Sequence, residues 1–286
     1  RDDRKRPMTD LSAQSANHWS EAGRAGMNAF YRLATEDYRH LALAYDWRRV
    51  LERAQQTAGP RPLRLLDVAC GSGKFPNALA RYGGLNEANI QPIETSLLDA
   101  SAFSIAEAKA ALPRHFIPVS EHETLLQDFD PPAEGYDIVW ATHALYAIPE
   151  AELTEGLRRF RAAIAPGGVG VIAHSADAGH YIRFHRHFLD ATEQTAAPNF
   201  IPAEKIQALL QHDGAEVSIQ EIWYQSVADA QETEAIEGFL QRCVFDDRLG
   251  LSEMRRRPPL DRYLASCRTE AGWAFNQKVW LMIIAG

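Results

Sequence analysis

The sequence predicts an α/β fold: one doubly wound, mostly parallel, seven-stranded sheet with a helical N-terminal lid and late insertions. Three observations predict it. Short apolar runs alternate with helical stretches from residue 63 to residue 175. Alternation of this kind makes crossover connections, and so parallel strands covered on both faces. Residues 28–56 put Phe30, Leu33, Leu41, Ala44, Tyr45 and Leu51 at helical spacing ahead of that alternation. And "LLDVACGSGKF" runs a strand into a turn whose glycines, Gly71 and Gly73, stand one residue apart.

The elements follow in order. Residues 10–60 form the lid, and "TAGPRP" breaks the helical pattern. "LRLLDV" is a strand and "PNALARYG" a short helix ended by glycine. "NIQPIET" is a strand, with Glu94 near its end, and "DASAFSIAEAKAAL" a helix stopped by Pro113. "HFIPVS" and "YDIVWAT" are strands, "EAELTEGLRRFRAAI" is a helix, "APGG" a turn and "VGVIAHS" a strand. Beyond it, helices over "GHYIRFHRHFLDATEQ" and "AEKIQALLQHDG" precede a strand over "AEVSIQEIWYQS". Residues 231–270 are mixed helix and loop, and "QKVWLMIIA" is a further strand. The core spans residues 61–286, with cap insertions at about 177–212 and 230–272. Residues 1–9, with Met8 as the first methionine, read as a tail or remnant.

Composition narrows the function. Asp and Glu number 38 against 30 Lys and Arg, which argues against nucleic acid or an anionic membrane as partner. Cys70, Cys243 and Cys267 make neither a metal pattern nor an even disulfide set, and a reducing cytoplasm is expected. No apolar run has spanning length. The expected partner is a small molecule, on a monomer or homodimer.

In the glycine turn, a strand-end acid (Asp67) marks the sheet edge where open α/β folds bind ligands, and Gly71 and Gly73 allow close approach to the backbone. Glu94, on the next strand, suits a ribose diol. Pro76 stands where a dinucleotide fingerprint needs its third glycine. The pattern D-x-A-C-G-S-G instead resembles motif I of the class I S-adenosylmethionine-dependent methyltransferases, with Ala69 in place of the first glycine. Residues 136–175, with "IAPGG" as the turn before a strand, resemble the same family. The resemblance implies S-adenosyl-L-methionine as cofactor, held by Asp67, Ala69, Gly71, Gly73, Glu94, Ser120 and Thr142.

The ends of the chain resemble the histamine N-methyltransferase family. That resemblance implies an acceptor site built from Glu36 of "ATED", His143 and Tyr146 of "ATHALYAI", His180, Phe239 of "EGFLQRCVF", and Gln277 of "FNQK". Glu36, His143 and Tyr146 are the expected catalytic residues. Gly23, Met27, His180 and Phe184 stand where the family cages an imidazole, so histamine itself fits poorly. His180 and Arg183 would suit an acceptor that also carries a carboxylate. His180, His185 and His187 do not share one helix face, and no metal site is expected. Cys70 reads as a packed small residue rather than a nucleophile. His143 either takes a proton from an amine acceptor or only orients it. The leading reading is methyl transfer to the nitrogen of a small amine or amino acid. S-methylation of a thioether amino acid such as methionine, or a non-catalytic adenosylmethionine- or NAD-binding module, are the alternatives.

Overall fold

The computed structural model describes residues 10–194 and 199–286; the expected tail at residues 1–9 lies outside them. Seven strands form one sheet: β1 (Arg64–Val68), β2 (Ile93–Asp99), β3 (Phe116–Glu123), β4 (Tyr136–Thr142), β5 (Ile164–Ser175), β6 (Val217–Asp229) and β7 (Gly272–Ala285). Their order is β3-β2-β1-β4-β5-β7-β6, with β7 antiparallel to both neighbours. The order reverses between β1 and β4, and that switch point opens a crevice at the carboxyl ends of these strands. The expected "APGG" turn lies inside β5, where the pairing with β4 shifts register.

Alternation along each strand fills two layers. Leu65, Ile138, Trp140, Val171 and Leu281 face a core shared with α3 (Trp47–Ala58) and α4 (Lys74–Tyr82). Leu66, Val139, Ala141, Ile172 and Met282 face the other, shared with α6 (Glu150–Ala162) and α8 (Ala203–His212). The helix α5 (Ala102–Ala111) packs beside β2 and β3.

A third apolar core stands apart from both layers. It joins α2 (Arg24–Leu43), α7 (His180–Ala191), α9 (Thr233–Arg242), α10 (Leu251–Met254) and α11 (Leu260–Ser266) through Phe30, Tyr181, Phe184, Phe239, Leu260 and Phe275. The short α1 (Asp10–His18) precedes α2. Of the expected lid, α1 and α2 adjoin the crevice, whereas α3 buries Trp47 and Leu51 against the sheet. The "DYRHL" stretch explains the split: Leu41 and Ala42 already belong to the sheet-facing core, so the apolar stripe changes partner within α2.

One polar contact ties the segment before β1 to the centre of the sheet. Asp137 on β4 accepts from Arg61 Nη2 and Nη1 at 2.6 and 2.7 Å and from the Arg64 N–H at 2.8 Å. Burial opposes its ionisation, yet these donors more than offset that and hold its carboxyl below the usual range. Asp137→Asn should therefore lower the unfolding free energy at pH 7 by about 1–3 kcal/mol, read by urea titration. The folded-state pKa is depressed, so the difference should be full above about pH 4 and shrink as the pH falls through that pKa.

Candidate active site

The turn after β1 is left-handed at three positions: Ala69 (φ 51°), Gly71 (φ 52°) and Gly73 (φ 67°). Its glycines serve different ends. A Cβ on Gly71 would meet only the Tyr31 hydroxyl, at 3.7 Å, so this side of the turn faces open cavity. A Cβ on Gly73 would meet the Ala108 backbone at 3.2 Å, so Gly73 lets α4 start against α5. Cys70 is buried with Leu97, Ile105 and Ala108, and burial pushes its thiol far up. Such a thiol is a packing group.

The crevice encloses about 1430 Å³ of empty space, mouth included. At its sheet end stand Asp67, Ala69, Gly71, Asp99, Thr124, Leu125, Gln127 and Thr142. Asp99 ends β2 and accepts the Gly71 N–H at 3.1 Å and the Ser101 N–H at 2.9 Å. Burial pushes its carboxyl up to about 6 against these donors, and burial pushes Asp67 up to about 7. Asp67 Oδ2 and Ser72 Oγ are buried without a hydrogen-bond partner among the described residues.

Two expected cofactor residues lie elsewhere. Glu94 opens β2 rather than ending it, opposite Arg64 in register, five residues and about 17 Å of strand from Asp99. The strand runs on through "SLLD", so the acid at the ligand edge is Asp99. Ser120 sits within β3, where its hydroxyl bonds to Ser96 at 2.7 Å; the residues after the strand, Thr124 to Gln127, reach the cavity instead.

The inner end of the cavity is aromatic: Trp19, Phe30, Tyr31, Tyr38, Tyr146, Tyr181, Phe200 and Phe245. One carboxylate stands among them. Asp37 is 2% exposed and accepts hydrogen bonds from the hydroxyls of Tyr181 and, at 2.8 Å, Tyr224. Burial raises its carboxyl to about 7, although both hydroxyls favour the charged form. Glu36, the expected partner for an ammonium, is on the preceding helix position, half-buried at the surface and paired with Arg39 at 2.9 Å. Periodicity holds the signal that separates them. Phe30, Leu33, Ala34 and Leu41 make the buried stripe, and Asp37 continues it at 34+3 and 41−4. Glu36 is one step of 100° off that stripe.

His143 and Tyr146 both line the cavity. His143 has φ 53°, a conformation rare for a residue with a side chain and one that clusters at functional sites. The Ser175 N–H donates to the Tyr146 hydroxyl oxygen at 3.0 Å. The hydroxyl hydrogen is then free for His143 Nδ1, 3.0 Å away. This assignment leaves the imidazole hydrogen on Nε2, which is buried and without a partner among the described residues. Burial, with the His174 ring nearby, pushes His143 down to about 3. His143 is thus a neutral donor toward the cavity.

The other expected acceptor residues lie behind the walls. His180 is fully buried, bonds the Tyr263 hydroxyl at 2.8 Å and stacks on Phe184 and Phe239. Phe239 belongs to the same cap core. Gln277 on β7 is fully buried and donates to Ser226. Arg183 lies 5.1 Å over the Tyr263 ring, away from the cavity lining.

An adenosyl cofactor fits this donor set: Asp99 for a ribose diol, open backbone at Gly71, Asp67 Oδ2, and Thr124 to Gln127 with Thr142 around a base. Sheet and turn together define an α/β cofactor-binding domain of the Rossmann-like class. The family model described as a methyltransferase domain matches residues 38–218, and the chain belongs to that family. Among solved structures it resembles magnesium protoporphyrin IX methyltransferase from Synechocystis PCC 6803, solved with S-adenosylhomocysteine (TM-score 0.55, 10% identity, covering 97% of this chain and 100% of that one). It also resembles the YcgJ protein of Bacillus subtilis (TM-score 0.51, 13% identity, 83% and 97% covered). At such identities the likeness is one of fold. No curated protein sequence matches the chain.

Asp99→Asn should weaken S-adenosylhomocysteine binding by roughly tenfold or more, the loss expected for a charged hydrogen-bond acceptor. Glu94→Ala should leave it within roughly twofold, and calorimetry on both variants reads the difference.

Proposed function

We propose that this chain transfers a methyl group from S-adenosylmethionine to the nitrogen of a small amine. Asp37 carries the reading: one buried carboxylate in an aromatic chamber continuous with the cofactor end of the cavity. Aromatic faces and a carboxylate are the surroundings that favour an organic cation. The bound cofactor supplies an electrophilic methyl on a sulfonium. The protein's part is alignment, water exclusion and proton handling.

The chain's residues divide that work. Asp37 holds the ammonium and accepts its proton, with a carboxyl already near neutrality. His143 Nε2–H donates to an oxygen or other accepting group that the substrate carries besides its amine, and its depressed basicity removes it from the proton path. Tyr181 and Tyr224 fix the Asp37 oxygens. The helices α1 and α2 and the segment between them act as a lid whose Trp19, Phe30 and Tyr31 close the chamber. From the resemblance to histamine N-methyltransferases the proposal keeps the reaction class and a different acid. A thioether acceptor would need no proton acceptor beside the reacting atom.

A screen of amines, scored by S-adenosylhomocysteine formation, tests the reaction class. With an amine that turns over, Asp37→Asn should lower kcat/KM by roughly ten- to a hundredfold, the worth of a charge-assisted hydrogen bond. Glu36→Gln should leave it unchanged. In the wild type, kcat/KM should climb as the pH rises through about 7, where Asp37 ionises. Asp37→Asn should remove that inflection and keep only the rise due to the free amine. An unaltered pH profile in the variant would count against Asp37.

A further inference from the structure

Arg242 has no role in the mechanism above. It ends α9, is 4% exposed and lines the same cavity. Its Nη2 donates to the Gly23 carbonyl, and its guanidinium lies 5.3 Å over the Trp19 ring. Neither partner is an anion. Nε is buried without a hydrogen-bond partner among the described residues. Among the described residues no carboxylate pairs with it, and the exposed Asp247 acts only at longer range. Arginine is almost never fully buried unless paired. Burial alone depresses this one to about 10. The surrounding backbone makes room for it: a Cβ on Gly26 would stand 3.1 Å from Nη2.

We propose that Arg242 pairs with a carboxylate that a ligand carries into the cavity beside Tyr31, an inference that rests on the methyltransferase reading. Two ligands can bring that group: the methionyl tail of the donor, or an acidic acceptor. The helix α2 limits the second case. Gly26, which Arg242 touches, and Asp37 are 11 positions apart on α2, about 16 Å at 1.5 Å per residue. An acidic acceptor that meets both groups must span that separation less the reach of the Arg242 and Asp37 side chains. Tyr31 joins this region to the turn, since its hydroxyl stands 3.7 Å from where a Gly71 Cβ would be.

The test compares S-adenosylhomocysteine with 5′-methylthioadenosine, which lacks the aminocarboxypropyl tail, by calorimetry on wild type and Arg242→Gln. If the donor supplies the carboxylate, the variant should lose roughly tenfold or more for the first compound and roughly twofold or less for the second. If the acceptor supplies it, both affinities should hold, and acidic amines from the screen should lose roughly tenfold in kcat/KM while neutral amines do not. The ligand-free melting temperature should hold or rise in either case, because an unpaired buried charge is removed. If Arg242→Gln does not fold, Arg242→Met takes its place with the same readouts. A variant matching wild type for every ligand overturns the assignment of Arg242 alone. A wild type that binds neither adenosyl compound overturns the methyltransferase reading and this inference with it.

Discussion

The buried Asp37 carboxylate organises the inner half of this molecule. Its two oxygens take hydroxyls from Tyr181 on α7 and Tyr224 on β6, so three elements distant in sequence meet at one charge. A carboxylate this dry is costly unless its hydrogen bonds are made. The two tyrosines supply them and leave the group titrating near neutrality instead of at an exposed acid's value. Remove either hydroxyl and the acid shifts further toward its neutral form. The chamber's charge thus depends on how the cap packs on the sheet.

Much of the fold was legible because it rests on periodicity. Strand alternation and crossover helices follow from where apolar residues recur, and the observed sheet has the expected strands and mostly parallel sense. The turn after β1 was legible for a similar reason, since an acid, two glycines and a helix start leave few other readings. The errors sit at boundaries. Reading β2 as ending near Glu94 put the acid at the wrong edge of the sheet, because "PIETSLLD" continues the strand to Asp99. A five-residue error along a strand carries a side chain from one rim of the sheet to the other.

The acceptor side was harder to read because its residues come from packing between segments. His180, Phe239 and Gln277 have residue types suited to a ligand, yet His180 and Phe239 are enclosed by the cap core and Gln277 is buried between β7 and β6. Asp37 was detectable as an acid on an apolar helical stripe, whereas its neighbour Glu36 drew attention through a motif. Arg242 had no local signal at all: its burial depends on Trp19, Gly23 and Gly26 from the opposite end of the sequence. The methyltransferase-domain match starts at residue 38 and stops at 218, so Asp37 and α9 both fall outside it. The shared segment holds the turn after β1, Asp99 and much of the aromatic wall, while Asp37 and Arg242 come from the flanking segments.

The position of β7 bears on how the chain assembles. It lies between β5 and β6, pairing along both, although it follows each of them in sequence. During synthesis β5 therefore keeps an open edge, and β6 has no place in the sheet, until β7 has emerged. Every cap helix from α7 to α11 is made in that interval. The first five strands can pair as they appear, while Tyr224 reaches Asp37 only once β6 has docked through β7. Chains tend to fold from their N-terminal side during synthesis, and long-range pairings close slowly. The nascent protein thus completes its cofactor edge before its acceptor chamber, and the unpaired β5 edge is where an incomplete chain is most exposed to association with another.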